Sequence, residues 1–302
     1  MKQQFVEFNL RDGSLRAIET ANQIIAQYRA QGYQLTLRQL YYQHVARDLI
    51  ANTERSYKNL GELINKGRLA GLIDWDAIED RTRNLRGLSH WTSPSSIIRS
   101  AYHSFRVDKW ENQPNRVEVW VEKDALVGIL QRVCDRHDVS YFSCRGYVSQ
   151  SEMFAAAQRL NGYIQDGQDV VILHLGDHDP SGIDMTRDIR DRLNLFMEGM
   201  EGEINRLALN WEQIELYSPP PNPAKTTDAR FNGYAEEYGT ESWELDALEP
   251  SVIEELIEEH ILAYRDDDLW QEVEEEEGHH RNLLQATSER WGEVEAFLTS
   301  DN

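Results

Sequence analysis

The residues best placed to do chemistry lie where an apolar run stops. Val171-Ile172-Leu173-His174-Leu175 reads as a buried strand, and Gly176-Asp177-His178-Asp179-Pro180-Ser181-Gly182 as the turn that follows it. In extended backbone alternate side chains share a face, so Asp177 and Asp179 project together while His178 points away. Two close carboxylates repel one another, and one stays protonated unless a cation holds both. Carboxylates without Cys or His ligands suit a hard ion, Mg2+ rather than zinc. The same Asp-x-Asp ahead of Pro-Ser-Gly also fits a polar turn that caps a helix. A third carboxylate, Glu122, follows a second apolar strand, Val117-Glu118-Val119-Trp120-Val121. Near the N-terminus, Tyr42 lies one turn after Arg38 on a helical pattern. Leu37, Leu40, Tyr41, Val45 and Leu49 form the apolar arc of that helix, and Tyr42 falls about 100° round from Tyr41, at its edge. A phenol at the core's border beside a guanidinium can serve as a reactive group. A tyrosine stacked on a surface arginine is the plainer use of the same pair.

The elements that must hold these groups fall into three stretches. Leu15, Ile18, Ala21, Ile25 and Tyr28 predict a helix over 13–31, stopped at Gly32. Thr36-x-x-Gln39 is a capping-box pattern that opens the second helix. A third follows over 56–66 and ends in the basic turn Lys66-Gly67-Arg68. Three short helices, that turn and short apolar segments predict a helix-turn-helix with a wing, in which Lys66 and Arg68 meet phosphates. Arg81, Arg83, Arg86, Arg99 and Arg106 interleave with His90, Trp91, Tyr102 and His103, as on a DNA-facing surface. Solvated surface cations remain the ordinary alternative. Residues 111–115 read as a linker.

From Arg116 strands alternate with helices: strand 117–121, helix 125–137, strand 139–143, helix 149–165, strand 170–175, helix 182–195 and a fourth strand over 214–217. Short links between such elements imply a parallel sheet with right-handed crossovers, whose working groups gather beyond the carboxyl ends of the strands. Glu122 and the Asp177/Asp179 pair share that edge. Residues 222–249 are irregular. Pro250 opens a helix that buries Val252, Ile253, Leu256 and Ile257 and turns Glu254, Glu255, Glu258 and Glu259 to solvent. The run Glu274–Glu277 reads as a solvated face as well, with a DNA mimic as the sharper reading.

Composition bounds the function. The 302 residues carry a net charge of -22, distributed unevenly. Residues 1–115 hold 16 Lys+Arg against 12 Asp+Glu, residues 116–235 hold 12 against 19, and residues 236–302 hold 3 against 22. The acidity belongs to the last stretch, so it argues against phosphate contact there and not in the first two. No apolar run approaches the roughly 20 residues that span a bilayer. The first seven residues contain no apolar signal core, so the expectation is a cytoplasmic, nucleoid-associated protein with no membrane partner. Cys134 and Cys144 have no metal-binding spacing and read as ordinary thiols.

A glutamate after a first strand and an Asp-x-Asp after a later parallel strand resemble the Toprim domain of topoisomerases, primases and some nucleases. Val121-Glu122-Lys123-Asp124-Ala125 and Asp177-His178-Asp179-Pro180-Ser181-Gly182 resemble more closely the A subunit of topoisomerase VI and its meiotic double-strand-break relatives, in particular the stand-alone "Mini-A" homologues. The catalytic motif of that family is similar to Thr36-Leu37-Arg38-Gln39-Leu40-Tyr41-Tyr42, with Gln39 where the family usually has an acid. The resemblance implies an α/β chain: a winged-helix (CAP-like) domain over 1–112 carrying the tyrosine, a Toprim domain over 116–235, and an acidic helical extension over 236–302. It further implies Tyr42 as nucleophile, Arg38 as the residue that stabilises charge on the phosphate, and one or two Mg2+ ions on Glu122, Asp177 and Asp179. Lys66, Arg68, Arg81 and Arg83 are the expected DNA contacts. The implied activity is cleavage of double-stranded DNA through a 5′-phosphotyrosyl link by a homodimer, with any ATPase partner encoded elsewhere. A Toprim nuclease that hydrolyses DNA with water is the alternative, and a non-catalytic DNA-binding or decoy protein a third.

Overall fold

The computed structural model of the chain describes residues 1–78, 88–197 and 202–300. Arg81, Arg83 and Arg86 lie outside the described residues. The chain forms two compact units, Met1–Arg83 with Val117–Ala263, and Asn84–Arg116 with Tyr264–Asn302. The division runs through the expected segments. The first helices join the sheet in one unit, and residues 236–263, expected in the acidic extension, belong to that unit as well.

The first unit opens with α1 (Asp12–Ala30), α2 (Leu37–Ala46) and α3 (Glu54–Leu69). Thr36 caps α2 as its sequence predicts: its hydroxyl accepts from Gln39 N, and the Gln39 side chain accepts from Thr36 N at 2.8 Å. Ile18, Ile25, Tyr28, Leu40, Leu60 and Ile64 form the core between the three helices. Helix α3 runs longer than expected, so Lys66, Gly67 and Arg68 lie in its last turn and not in a loop beyond it. A Cβ on Gly67 would stand 2.8 Å from Ile73 Cδ1, so the glycine serves close packing. Arg68, expected as a phosphate contact, stacks over Trp75 (5.1 Å) and donates to the carbonyls of Trp75 and Ile78, so it also has a structural role. Lys66 is exposed. After α3, the described residues carry a 3-10 turn (Trp75–Ala77) and isolated bridges, Gln4 with Ala70 and Leu35 with Ile78, and no wing hairpin.

Helix α4 (Pro94–Ser104) belongs to the second unit, and the sheet of the first unit begins with β1 (Asn115–Val121). There follow α5 (Val127–Arg136), β2 (Ser140–Ser143), α6 (Gln150–Gln165), β3 (Asp169–Leu175), α7 (Pro180–Phe196) and β4 (Glu203–Ala208). The four strands form a parallel sheet in the order β2-β1-β3-β4. Nearly every residue of β1 and β3 is buried, as continuous apolar strands covered on both faces require. The fourth strand is 203–208, and the segment 214–217 expected as a strand lies in α8 (Trp211–Tyr217). The Gln213 side chain accepts from Asn210 N (2.9 Å) and starts that helix, a local signal that outweighs the short apolar run.

Beyond α8, β5 (Asn222–Pro223) pairs antiparallel with β6 (Glu241–Ser242) around α9 (Phe231–Tyr238), and α10 (Pro250–Tyr264) closes the unit. Pro250 opens α10 as expected, with Ile253, Ile257 and Ile261 fully buried. Its glutamates are less solvated than the sequence suggests. Glu254 is buried and takes Arg136 (2.6 Å) and Tyr33 (2.7 Å), and Glu258 takes Arg136 (2.7 Å) and His137 (2.8 Å).

In the second unit α11 (Asp267–Glu289) packs along α4, and α12 (Trp291–Ser300) follows it. Glu274, Glu275 and Glu276 are exposed, whereas Glu277 is buried and accepts from Val107 N at 3.1 Å. Tyr102, expected on a DNA-facing surface, lies under Arg281 (5.2 Å). The acidic helix thus meets Tyr102, whereas His90, Trp91 and His103 are exposed.

Candidate active site

The parallel sheet carries its ladder past the strand ends. Glu122 N donates to Leu175 O (2.8 Å), and Gly176 N donates to Ala208 O (2.8 Å). This holds the residue after β1 beside the turn after β3, and Glu122 Oε2 accepts from Asp177 N at 2.9 Å. Gly176 is small because a Cβ there would stand 3.0 Å from that same oxygen. Asp179 caps α7, its Oδ1 accepting from Gly182 N (2.6 Å) and from the Ser181 hydroxyl (2.8 Å). The plain reading of Asp-x-Asp as a capping turn therefore describes one oxygen of Asp179. Gly182 meets the turn closely: a Cβ there would lie 2.2 Å from Asp177 O.

His178 points away from the two aspartates, into a box of Trp211, Tyr234, Tyr238 and Trp243 with ring centroids 4.6 to 5.9 Å distant. Its Nδ1 lies 2.9 Å from the Tyr234 hydroxyl, and burial lowers its pKa to about 4. Beneath the turn, the half-buried Arg206 donates to the carbonyls of Asp177 (2.6 Å), Gly182 (2.9 Å), Gly176 (3.2 Å) and Leu209 (3.2 Å). Five carbonyl and hydroxyl acceptors, Thr186 included, fix a guanidinium whose charge faces Glu122, Asp177 and Asp179.

A cavity of about 880 Å³ opens over this edge, and Arg38, Tyr42, Glu122, Asp177 and Asp179 all line it. The structure brings together the tyrosine, the arginine and the three acids singled out in the sequence. It adds three residues that sequence reasoning passed over. Lys123 Nζ lies 2.8 Å from Asp177 Oδ1 and 2.9 Å from Asp246 Oδ1, and pairs with Glu244. Arg38 reaches the same acids, with Nη2 2.8 Å from Glu244 Oε2 and Nε 3.0 Å from Asp246 Oδ2. The second contact is an ion pair out of line for a hydrogen bond. Burial opposes the charge on Arg38 and Lys123, yet the neighbouring carboxylates prevail and raise both pKa values. Glu244 and Asp246 flank Leu245 where a 3-10 turn (Leu245–Ala247) begins, and no periodicity in the sequence marks them out.

Tyr42 is 3% exposed, its ring edge-on to Tyr41 (5.2 Å) and beneath Arg38 (5.7 Å). Both tyrosines are buried, so the wheel's contrast between a core Tyr41 and a bordering Tyr42 survives only in their hydroxyls. Tyr41 donates to Asn52 (2.9 Å), whereas the Tyr42 hydroxyl has no hydrogen-bond partner among the described residues. Burial raises the Tyr42 pKa, Glu244 and Asp246 raise it further, and Arg38 and Lys123 act the other way.

Carboxylate oxygens are the donors a hard divalent cation takes, but among the described residues the grouping whose ligand oxygens lie within 4.8 Å of one another is Asp177 with Glu244 and Asp246, not Glu122 with Asp177 and Asp179. Glu122 Oε1, Asp177 Oδ2 and Asp179 Oδ2 are each left without a hydrogen bond from the described residues, while the other oxygen of each acid is engaged. Five carboxylates (Glu122, Asp177, Asp179, Glu244, Asp246) face three cations (Arg38, Lys123, Arg206), which leaves two negative charges uncompensated. Burial raises the pKa of Glu122 and of Asp177, and the neighbouring carboxylates reinforce it, as expected of a site short of positive charge. The Lys123 ammonium spans the grouping of Asp177, Glu244 and Asp246. Comparison of the chain with protein-family models and with curated protein sequences finds no match.

Proposed function

We propose that this chain cuts double-stranded DNA as a Mg2+-dependent transesterase similar to the A subunit of topoisomerase VI, its helical N-terminal segment acting as the winged-helix part and its sheet as the Toprim part. One observation carries the reading: a tyrosine, an arginine and three carboxylates with free oxygens line a single cavity. The Tyr42 oxygen attacks a backbone phosphorus and forms the new P–O bond. The bond to the 3′ oxygen breaks, the phenol proton is given up, and the leaving 3′ oxygen takes one up. A 5′-phosphotyrosyl link remains. Arg38 donates to the phosphate oxygens as their charge grows. Glu122, Asp177 and Asp179 would hold Mg2+, which supplies neutralisation of charge on the scissile or adjacent phosphate. Arg206 and the cap at Asp179 keep those carboxylates in register.

The test is incubation of plasmid DNA with the chain and Mg2+, followed by gel electrophoresis with and without protease digestion. Wild type yields cut DNA that enters the gel fully only after proteolysis, and Tyr42→Phe yields none. A hydrolytic Toprim nuclease is the second reading, favoured by the burial and raised pKa of Tyr42. Cleavage that persists in Tyr42→Phe and leaves free 5′ ends would select it.

A further inference from the structure

We infer that Arg38 and Lys123 together form the binding site for a DNA phosphate, and that the Glu244 carboxylate fills this site when DNA is absent. The inference rests on the reading of the cavity as a DNA site and assigns Lys123 and Glu244 roles that the sequence motifs do not carry.

A single oxygen, Glu244 Oε2, takes both Arg38 Nη2 (2.8 Å) and Lys123 Nζ. One anionic oxygen shared by a guanidinium and an ammonium is the arrangement a phosphate oxygen adopts with the same two groups. The cations come from separate elements, α2 and the link after β1, so nothing in the local chain forces them together. The acid that joins them is supplied by a third segment.

That segment is anchored apart from Glu244. Leu245 is fully buried and its N–H donates to Asp177 Oδ1 (2.8 Å). The backbones of Trp243 and His178 exchange two hydrogen bonds of 2.9 Å. The Asp246 side chain is wholly buried. By contrast the Glu244 side chain is 25% exposed and that of Arg38 is 42% exposed. Rotation of one side chain clears the site, and the backbone need not move. Lys225, exposed on the rim of the same cavity and without a carboxylate partner among the described residues, offers a cation to a neighbouring phosphate.

A DNA phosphate that replaces the Glu244 carboxylate brings one negative charge in place of another, so Arg38 and Lys123 stay paired through the exchange.

The test is equilibrium binding of a short fluorescein-labelled DNA duplex in EDTA, read by anisotropy, so that no cleavage is needed. Removing a competing like charge predicts that Glu244→Gln binds roughly five- to tenfold tighter than wild type. Lys123→Met is expected to bind more weakly, and Glu244→Gln to gain little on top of it. Should Glu244→Gln fail to fold, Glu244→Ser, equally uncharged, is read in the same way. Affinity equal to or below that of wild type in a folded Glu244 variant overturns the inference. The two readings fail separately. Tighter binding in EDTA, with no covalent DNA product in the plasmid assay with Mg2+, would sink the proposed activity and leave this site standing. Protein-linked cleavage with unchanged affinity would do the reverse.

Discussion

His178 shows how a single side chain can serve the site without touching substrate. Its ring fills the aromatic box behind the aspartates, and Tyr234 fastens it by donating to His178 O (3.0 Å). Burial lowers its pKa from 6.5 to about 4, so the fold holds it neutral. Between those values the unfolded chain binds a proton that the folded chain does not, and stability falls as pH drops from 6.5 toward 4. The full effect is about 3 kcal/mol. Glu122 and Asp177, raised by burial, act with the opposite sign, since the fold then binds protons more readily. The comparison that isolates His178 is therefore wild type against His178→Phe in urea unfolding at several pH values. The gap between them is expected to narrow as pH falls from 7 to 4.5, and a gap independent of pH refutes the assignment. At this scale the sequence was informative where residues alternate along an extended chain: Asp177 and Asp179 to one side, His178 to the other. It was silent on Lys123, because an ammonium gathered among three acids depends on Glu244 and Asp246, more than a hundred residues away.

Elements were legible where a local signal and the global packing agree. The Thr36–Gln39 box, Pro250 at the start of α10 and the apolar runs of β1 and β3 each specify their element within a few residues. They misled where a short apolar run stood alone. Residues 214–217 read as a strand, yet the preceding Asn210–Gln213 contact makes them helix, and the true edge strand carries Arg206 in its middle. A half-buried arginine disguises a strand, and its donors go to the carbonyls of the turn. Glycine positions separate the same way. Gly162, inside α6, has open space for 4 Å around the point where a methyl would stand, so Gly162→Ala is expected to stabilise by up to about 1 kcal/mol through helix propensity. At Gly182, in the first turn of α7, the added methyl would stand 2.2 Å from Asp177 O. There the clash outweighs the propensity, and Gly182→Ala is expected to destabilise by about 1–3 kcal/mol. Thermal unfolding of the two variants decides it: a rise in melting temperature for Gly182→Ala would show that α7 does not press on the aspartate turn.

At the scale of the whole molecule, the arrangement of the site bears on how two copies would share the work. The family that the motifs resemble joins the tyrosine of one protomer to the metal-binding acids of its partner. In this chain Tyr42 and Arg38 line the same cavity as Glu122, Asp177 and Asp179 of the same compact unit, and Arg38 and Lys123 meet on Glu244. The reason lies in the residues 236–263, expected as part of a separate acidic extension. They supply Asp246, wholly buried, which ties α2 to the end of β1 through its pairs with Arg38 and Lys123. Pulling α2 away would leave the Asp246 carboxylate buried with one cation fewer, which is unfavourable, so the tyrosine is held to its own chain's acids. Mixing Tyr42→Phe with Asp177→Asn separates the two arrangements. If each site takes its tyrosine from the partner, a mixed dimer contains one site with both native residues, and nicking of plasmid DNA returns. If each chain completes its own site, every site in the mixture lacks one group. The expected outcome is no recovery at any mixing ratio, and the appearance of nicked circles would show that the helical segment and the sheet exchange partners on DNA.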